Sequence, residues 1–382
     1  VPTALLGWHA DRIHRQRAAV EAIRAAGGRV DYEWAATDAE NRARLGSFWD
    51  DWLYRTLGAD FFGRATSVQV DVPEGDTGLR LMEQIGRLRE LRSLGLTGPG
   101  ATDAALARLV GLERLEMLHL FDVRATGASL ASIGRLPRLK QLYLFGVEAA
   151  DNDLAGLKGL ADLEALYLPG RRVTDAGMPY LARLTSLRTL MLTDGQVTEQ
   201  GLEAIASLPR LRELVLFGNR VTRLGPLIDM PPLRDLSLDN NPIDDAGLDG
   251  IERMTRLTTL GLSGTPITDA GVERLAGLKH LGALSLGGTA VSDSGLAVVR
   301  GMPSMRSLHL AHTTISDDGI SHLIELGGLE SLDLTGTRVG DAGLLNLSGR
   351  TSLRRVEISG SRVTPQGITR LQATIPRATI GP

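Results

Sequence analysis

The chain has 382 residues, a hydrophobic fraction of 43% and a formal net charge of −3, so no global basic field draws in nucleic acid, and no acidic tail is present. It has no cysteine, which removes disulfides, thiolate nucleophiles and cysteine-ligated metals together. Three lysines (Lys140, Lys158 and Lys279) stand against 39 arginines, which are spread along the chain rather than gathered into one basic patch.

The chain opens Val1-Pro-Thr-Ala-Leu-Leu-Gly-Trp8 and then turns basic at Arg12, His14, Arg15 and Arg17. An apolar run, an aromatic and then arginines is the order met at the end of a transmembrane helix, so residues 1–8 read as the remnant of a membrane anchor, with a frayed, processed N-terminus as the competing reading. No stretch of the sequence reaches the ~20 apolar residues of a complete span. The basic flank would place the remainder on the cytoplasmic side, which makes a membrane-tethered protein the leading expectation and a soluble cytoplasmic one the alternative.

A helix is expected over Arg12–Ala26, with Ile13, Val20 and Ile23 on one face and Gly27-Gly28 ending it. Val30, Tyr32 and Trp34 alternate as a short strand, and Asp38 is placed to cap a second helix running to about Leu57. All four tryptophans fall in this segment. Residues 1–64 therefore read as an N-terminal helical and aromatic capping unit, a small α+β cap. A stacked-repeat protein exposes an apolar end at its first repeat, and Trp49, Trp52, Phe61 and Phe62 are suited to seal it. A ligand-binding aromatic box is the competing reading.

From residue 65 to 382 one frame recurs. Pairs of aliphatics run from Leu94/Leu96 and Leu118/Leu120 to Leu332/Leu334 and Val356/Ile358, every step being 24 residues except one of 22 between Leu214 and Leu236. Val70 lies 24 residues before Leu94 and is expected to join the frame within a strand over 65–72. Each Leu-x-Leu reads as a short strand with one face buried. A Thr-Asp-Ala-Gly run or a variant of it follows, and its Thr or Asp is expected to cap a helix. No unit can bury both faces alone, so the units must stack, with parallel strands about 4.8 Å apart.

This pattern, about twelve repeats over 65–382, resembles the leucine-rich repeat family. The resemblance implies an α/β leucine-rich repeat solenoid, a curved parallel sheet inside and helices outside. The family's loop asparagine appears only at Asn219 and Asn241; Thr265, Thr289, Thr313, Thr337 and Ser361 replace it later, and Pro99, Val123, Val147, Arg171 and Gly195 earlier, where the loops are expected to be irregular. The Val-Thr-Asp-Ala-Gly-Leu variant, the Gln16-Arg17…Gly27-Gly28 helix, Asp60-Phe61-Phe62 and the closing Leu371-Gln-Ala-Thr-Ile-Pro376 are similar to many-copy leucine-rich repeat proteins of planctomycete-type bacteria, which are mostly of unknown function. The short unit carries Pro226, Pro231 and Pro232 without an Asp-Ala-Gly helix start, so a turn or extended segment is expected there. Residues 375–380 are in frame for a final edge strand that Pro376 and Arg377 would blunt.

Strand alternation puts the residues before, between and after the paired leucines on the open, concave face. There Met117, His119, Phe121, Gln141, Tyr143, Phe145, Tyr167, Met191, Val215 and Phe217 form an aromatic and apolar stretch, with Glu213, Asp235 and Asp239 beside it. Such a patch marks an interaction site, and these residues are the candidate contacts for a protein or peptide partner. Packing of the same side chains against one another is the competing reading. His309, His312 and Asp333 are too few and too scattered to make a metal site, and no cofactor is expected. No phosphate loop, HExxH or Gly-x-Ser-x-Gly motif occurs, so the expectation is a non-catalytic interaction scaffold. A membrane-tethered structural or self-associating envelope component is the alternative.

Overall fold

The computed structural model describes residues 2–33, 64–230 and 232–381, with residues 2–13 described through their backbone alone. The expected helix from Asp38, the strand residue Trp34 and the sealing aromatics Trp49, Trp52, Phe61 and Phe62 lie outside the described residues. The chain divides into two compact units, Val1–Arg172 with Arg183–Leu187, and Val173–Ala182 with Arg188–Pro382.

The first unit begins with helix α1, Pro2–Ala25, ten residues earlier than the sequence pattern suggests, because proline is tolerated in a helix's first turn and nothing before Arg12 stops it. Gly27, with φ of 75°, supplies the left-handed turn out of α1. Strand β1 (Arg29–Glu33) follows and pairs antiparallel with β2 (Arg64–Asp71). From β2 onward every pairing is parallel, through β3 (Ser93–Thr97), β4 (Met117–Phe121) and β5 (Gln141–Phe145) to β6 (Ala165–Pro169). Val68, not Val70, sits opposite Leu94, and Val70 faces Leu96. The first step is thus two residues longer than the usual 24. Helix α2 (Gly75–Ile85) occupies that length, and its Leu81, Met82 and Ile85 are buried.

The second unit holds β7 (Thr189–Thr193), β8 (Glu213–Val215), β9 (Asp235–Ser237), β10 (Thr259–Gly261) and β11 (Ala283–Ser285). It continues through β12 (Ser307–His309), β13 (Ser331–Asp333) and β14 (Arg355–Glu357) to β15 (Thr379–Gly381). Neighbours pair in parallel with the leucines in register, as Leu214 with Leu236 and Leu260 with Leu284, and Val356 meets Ile380 at the end. The paired leucines are fully buried in both units. Each such side chain stabilises by roughly 1.5–3 kcal/mol before the entropy of ordering is subtracted. Alternating strand and helix make this an α/β repeat solenoid.

The helical side is slighter than the sequence suggests. Most units carry one short α or 3₁₀ segment or two in succession, as at Asp175–Gly177 and Met178–Leu181, and the longest single segments in the second unit are Glu199–Ile205, Asp293–Val299 and Pro365–Thr374. A 24-residue unit must also hold a strand and two turns, which leaves little length for helix. The shortened unit is neither extended nor a bare turn: Gly225–Asp229 forms a 3₁₀ helix with Pro226 in its first turn, where a missing N–H costs nothing.

The Thr or Ser before a helix caps it in several units, as Thr268 Oγ1 accepts from Ala270 N and Ser292 Oγ from Ser294 N, but the expected cap at Ser316 is not made, and its hydroxyl donates to Asp293 instead. The following Asp has a different role. Asp245 accepts both the backbone N–H and the hydroxyl of Thr268 (2.8 and 2.6 Å), and Asp293 does the same for Ser316 (2.8 and 2.6 Å). Each carboxylate thus staples one repeat to the cap of the next, 23 residues on. The bonds from the Thr364 hydroxyl and backbone hold the Asp341 carboxyl below its usual range.

The early loops are less irregular than expected. The residue two after the second strand leucine is left-handed at Gly98, Asp122 and Gly146, as it is at Gly264 and His312 in the second unit. Asn219 donates to Leu192 O (2.8 Å) and accepts from Val197 N (3.1 Å), so it ties its own loop to the preceding repeat. Thr289 donates only to Leu286 O, three residues back.

Candidate functional site

In the first unit the open strand face carries the aromatic candidates. Along β4, β5 and β6 the middle positions His119, Tyr143 and Tyr167 stand opposite one another, because parallel pairing in register puts like positions side by side. The His119 and Tyr143 rings meet edge-on with centroids 4.0 Å apart, and Tyr143 lies nearly parallel to Tyr167 at 4.3 Å. Phe121 and Phe145 form a second row, 6.3 Å apart, with Phe145 6.5 Å from Tyr167. Tyr143 Oη donates to Gln141 Oε1 (3.2 Å), and Met117 Sδ lies 3.7 Å from the Ser93 hydroxyl. The structure therefore brings together every candidate of this unit.

The two rows differ in accessibility. Met117, His119, Gln141, Tyr143 and Tyr167 are half-buried, whereas Phe121 is 60% and Phe145 39% exposed. The strand burial alternates so regularly that these rings cannot turn inward past the leucines. Burial holds the His119 imidazole below its usual pKa, and its Nε2 atom is enclosed without a hydrogen-bond partner among the described residues. The ring is therefore kept neutral by desolvation rather than by a neighbouring charge.

The second unit has its own cluster. Met191 on β7 faces Val215 on β8, and Phe217 follows at the end of that strand, 39% exposed. Glu213 and Asp235 are register partners on β8 and β9. Neutral hydroxyls hold these acids: Thr189 donates to Glu213 (3.0 Å), Thr258 to Asp235 (2.7 Å), and Ser237 to Asp239 (2.5 Å). Asp239 also accepts from Ser263 N at 2.6 Å. No cation among the described residues lies within ion-pair distance of the three. Thr189 lies one strand away in the column of Glu213, Thr258 one strand on from Asp235 but one residue outside its column, and Ser237 two residues before Asp239, so reading the columns across the strands would find Thr189 but not all three hydroxyls.

His309 Nδ1 lies 3.9 Å from Asp333, and its Nε2 meets Ser307 Oγ at 3.1 Å. His312 occupies the left-handed turn position, with φ of 58°. Among the described residues no group of three His, Asp or Glu is arranged to hold a metal ion, and no helix is long and apolar enough to cross a membrane.

Residues 209–250 match the family model described as Leucine Rich repeats (2 copies), and residues 254–276, 301–323 and 329–348 match that described as Leucine Rich repeat. Among solved structures the chain is similar to an internalin from Listeria monocytogenes, at 25% identity over 83% of this chain and 86% of that one, with a TM-score of 0.60. A leucine-rich repeat protein from Leptospira interrogans is similar in fold, with 18% identity, 83% and 89% of the two chains covered and a TM-score of 0.55. Comparison with curated proteins finds no match.

Proposed function

The chain is a leucine-rich repeat protein, and from that premise we propose that it is a non-catalytic scaffold binding a protein or peptide partner on the concave face of its strands. The fold is a typical protein–protein interaction scaffold, and proteins built on it are generally binders rather than catalysts. One observation carries the reading: three of the six phenylalanines, Phe121 and Phe145 in the first unit and Phe217 in the second, stand exposed at the same position of their repeats. Large exposed apolar side chains cost solubility without adding to the core, and aromatics are favoured anchors at interfaces. The half-buried residues Met117, His119, Gln141, Tyr143 and Tyr167 would form the floor under a partner in the first unit. Met191, Glu213, Val215, Asp235 and Asp239 would do so in the second.

The test is affinity capture from the native organism with the wild-type chain beside Phe121→Ser/Phe145→Ser and, separately, Phe217→Ser. The reading expects a protein retained by the wild type and lost by a variant that remains folded by circular dichroism. A partner retained equally by all three chains would overturn it.

A further inference from the structure

The residue two places before the first strand leucine lies on the rim where each strand begins, and these residues neighbour one another from repeat to repeat. Lys140 N bonds Glu116 O, and Arg234 N bonds Arg212 O, each at 2.8 Å. In the first unit the row alternates in sign: Arg92, Glu116, Lys140, Glu164. Lys140 pairs with its neighbour Glu116 at 3.0 Å, and Arg92 is paired with Glu33 of β1 at 3.4 Å. In the second unit Arg306 and Glu330 make the same pair at 3.6 Å. After Glu164 the alternation stops: Arg188, Arg212 and Arg234 follow on successive strands, and then the uncharged Thr258 and Gly282. Arg212 and Arg234 are exposed, and no carboxylate among the described residues lies within ion-pair distance of either. Arg210 is exposed two residues before Arg212.

We propose that the Arg212–Arg234 rim is a docking strip for an acidic segment of a protein partner. The row has a spacing of about 4.8 Å from strand to strand, and acidic side chains on one face of an extended peptide recur every ~6.6 Å, a difference that two long arginine stems span. The planar guanidinium matches a carboxylate in a two-point fork. Glu213 and Asp235 lie one residue further along the same two strands. A ligand anionic on every side would meet them, whereas a peptide can offer carboxylates to the rim and neutral or basic groups inward. The two opposite rows therefore favour a protein segment over a phosphate polymer. The partner's being a protein rests on the scaffold reading above; the strip itself does not depend on the phenylalanine column.

The experiment uses the full chain and labelled octaglutamate, with long-chain inorganic polyphosphate as the competing probe, followed by fluorescence anisotropy at low and physiological ionic strength. Binding of octaglutamate should weaken with salt and fall by about tenfold or more in Arg212→Glu/Arg234→Glu. Arg338→Glu/Arg362→Glu, which changes net charge equally at two exposed arginines elsewhere, should change it less than about twofold. Equal losses in the two variants, no binding by the wild type, or tighter rim-dependent binding of polyphosphate would each overturn the proposal. Octaglutamate binding that survives while the phenylalanine variants still capture every partner would sink the concave-face reading alone.

Discussion

Tyr143 and Tyr167 lie face to face on adjacent strands, ring centroids 4.3 Å apart and planes 12° from parallel. The contact gives the candidate site two kinds of residue: a stacked floor that belongs to the fold, and a phenylalanine row that stands above it. Tyr143→Ala should therefore cost roughly 1–3 kcal/mol of stability, because it removes a half-buried ring with neighbours on both sides. Phe145→Ser should cost under about 1 kcal/mol. Urea denaturation of the two single variants checks the order; equal costs would contradict the division.

His119 at the other end of that stack makes the first unit sensitive to acid. Its folded pKa is lowered from the ordinary 6.5 by burial, so the unfolded chain takes up the proton first as pH falls. Stability should decline from the ordinary histidine range down to the lower folded pKa and then level off with respect to this group. His119→Phe should flatten that decline. Denaturant midpoints of the two chains measured across this window provide the comparison, and parallel curves would show that His119 carries none of the loss.

Asn219 and Thr289 fill corresponding loop positions with unequal reach. Asn219→Ala leaves Val197 N and Leu192 O without their buried partner and should cost roughly 2–4 kcal/mol. Thr289→Ala loses one bond within its own turn and should cost roughly 1 kcal/mol. Thermal and urea unfolding of the two variants measure the ratio.

His312 sits in a left-handed turn where the neighbouring repeats place Gly288 and Gly336. A side chain is strained in that conformation, so His312→Gly should raise stability by about 1 kcal/mol, measured by urea denaturation. A loss would mean that the imidazole's packing over Gly336 outweighs the strain.

The strand faces were legible in the sequence because the period of two fixes which residues lie beside the leucines, and an in-register parallel sheet carries that assignment from repeat to repeat. This is why Met117, His119 and Phe121 could be placed from their spacing alone. What failed to show in the sequence depended on neighbours a full repeat away. Asp269 reads locally as a helix cap, yet its partner is Ser292. Val70 reads as a 24-residue match to Leu94, yet α2 lengthens that step and moves the pairing to Val68. The stacking of Tyr143 between His119 and Tyr167 likewise depends on ring orientation, which spacing does not specify.

The carboxylate staples have a consequence for how such a chain can change length. Excising residues 269–292 would bring Asp293 directly after Thr268. Thr268 would keep Asp245, and Asp293 would keep Ser316. The join would break no staple, whereas a cut that is not a whole number of repeats would leave one carboxylate facing the wrong residue. Copy number is thus a free variable for this protein and phase is not, so gene duplication and loss can resize its strand face in whole quanta while leaving the joints as they were.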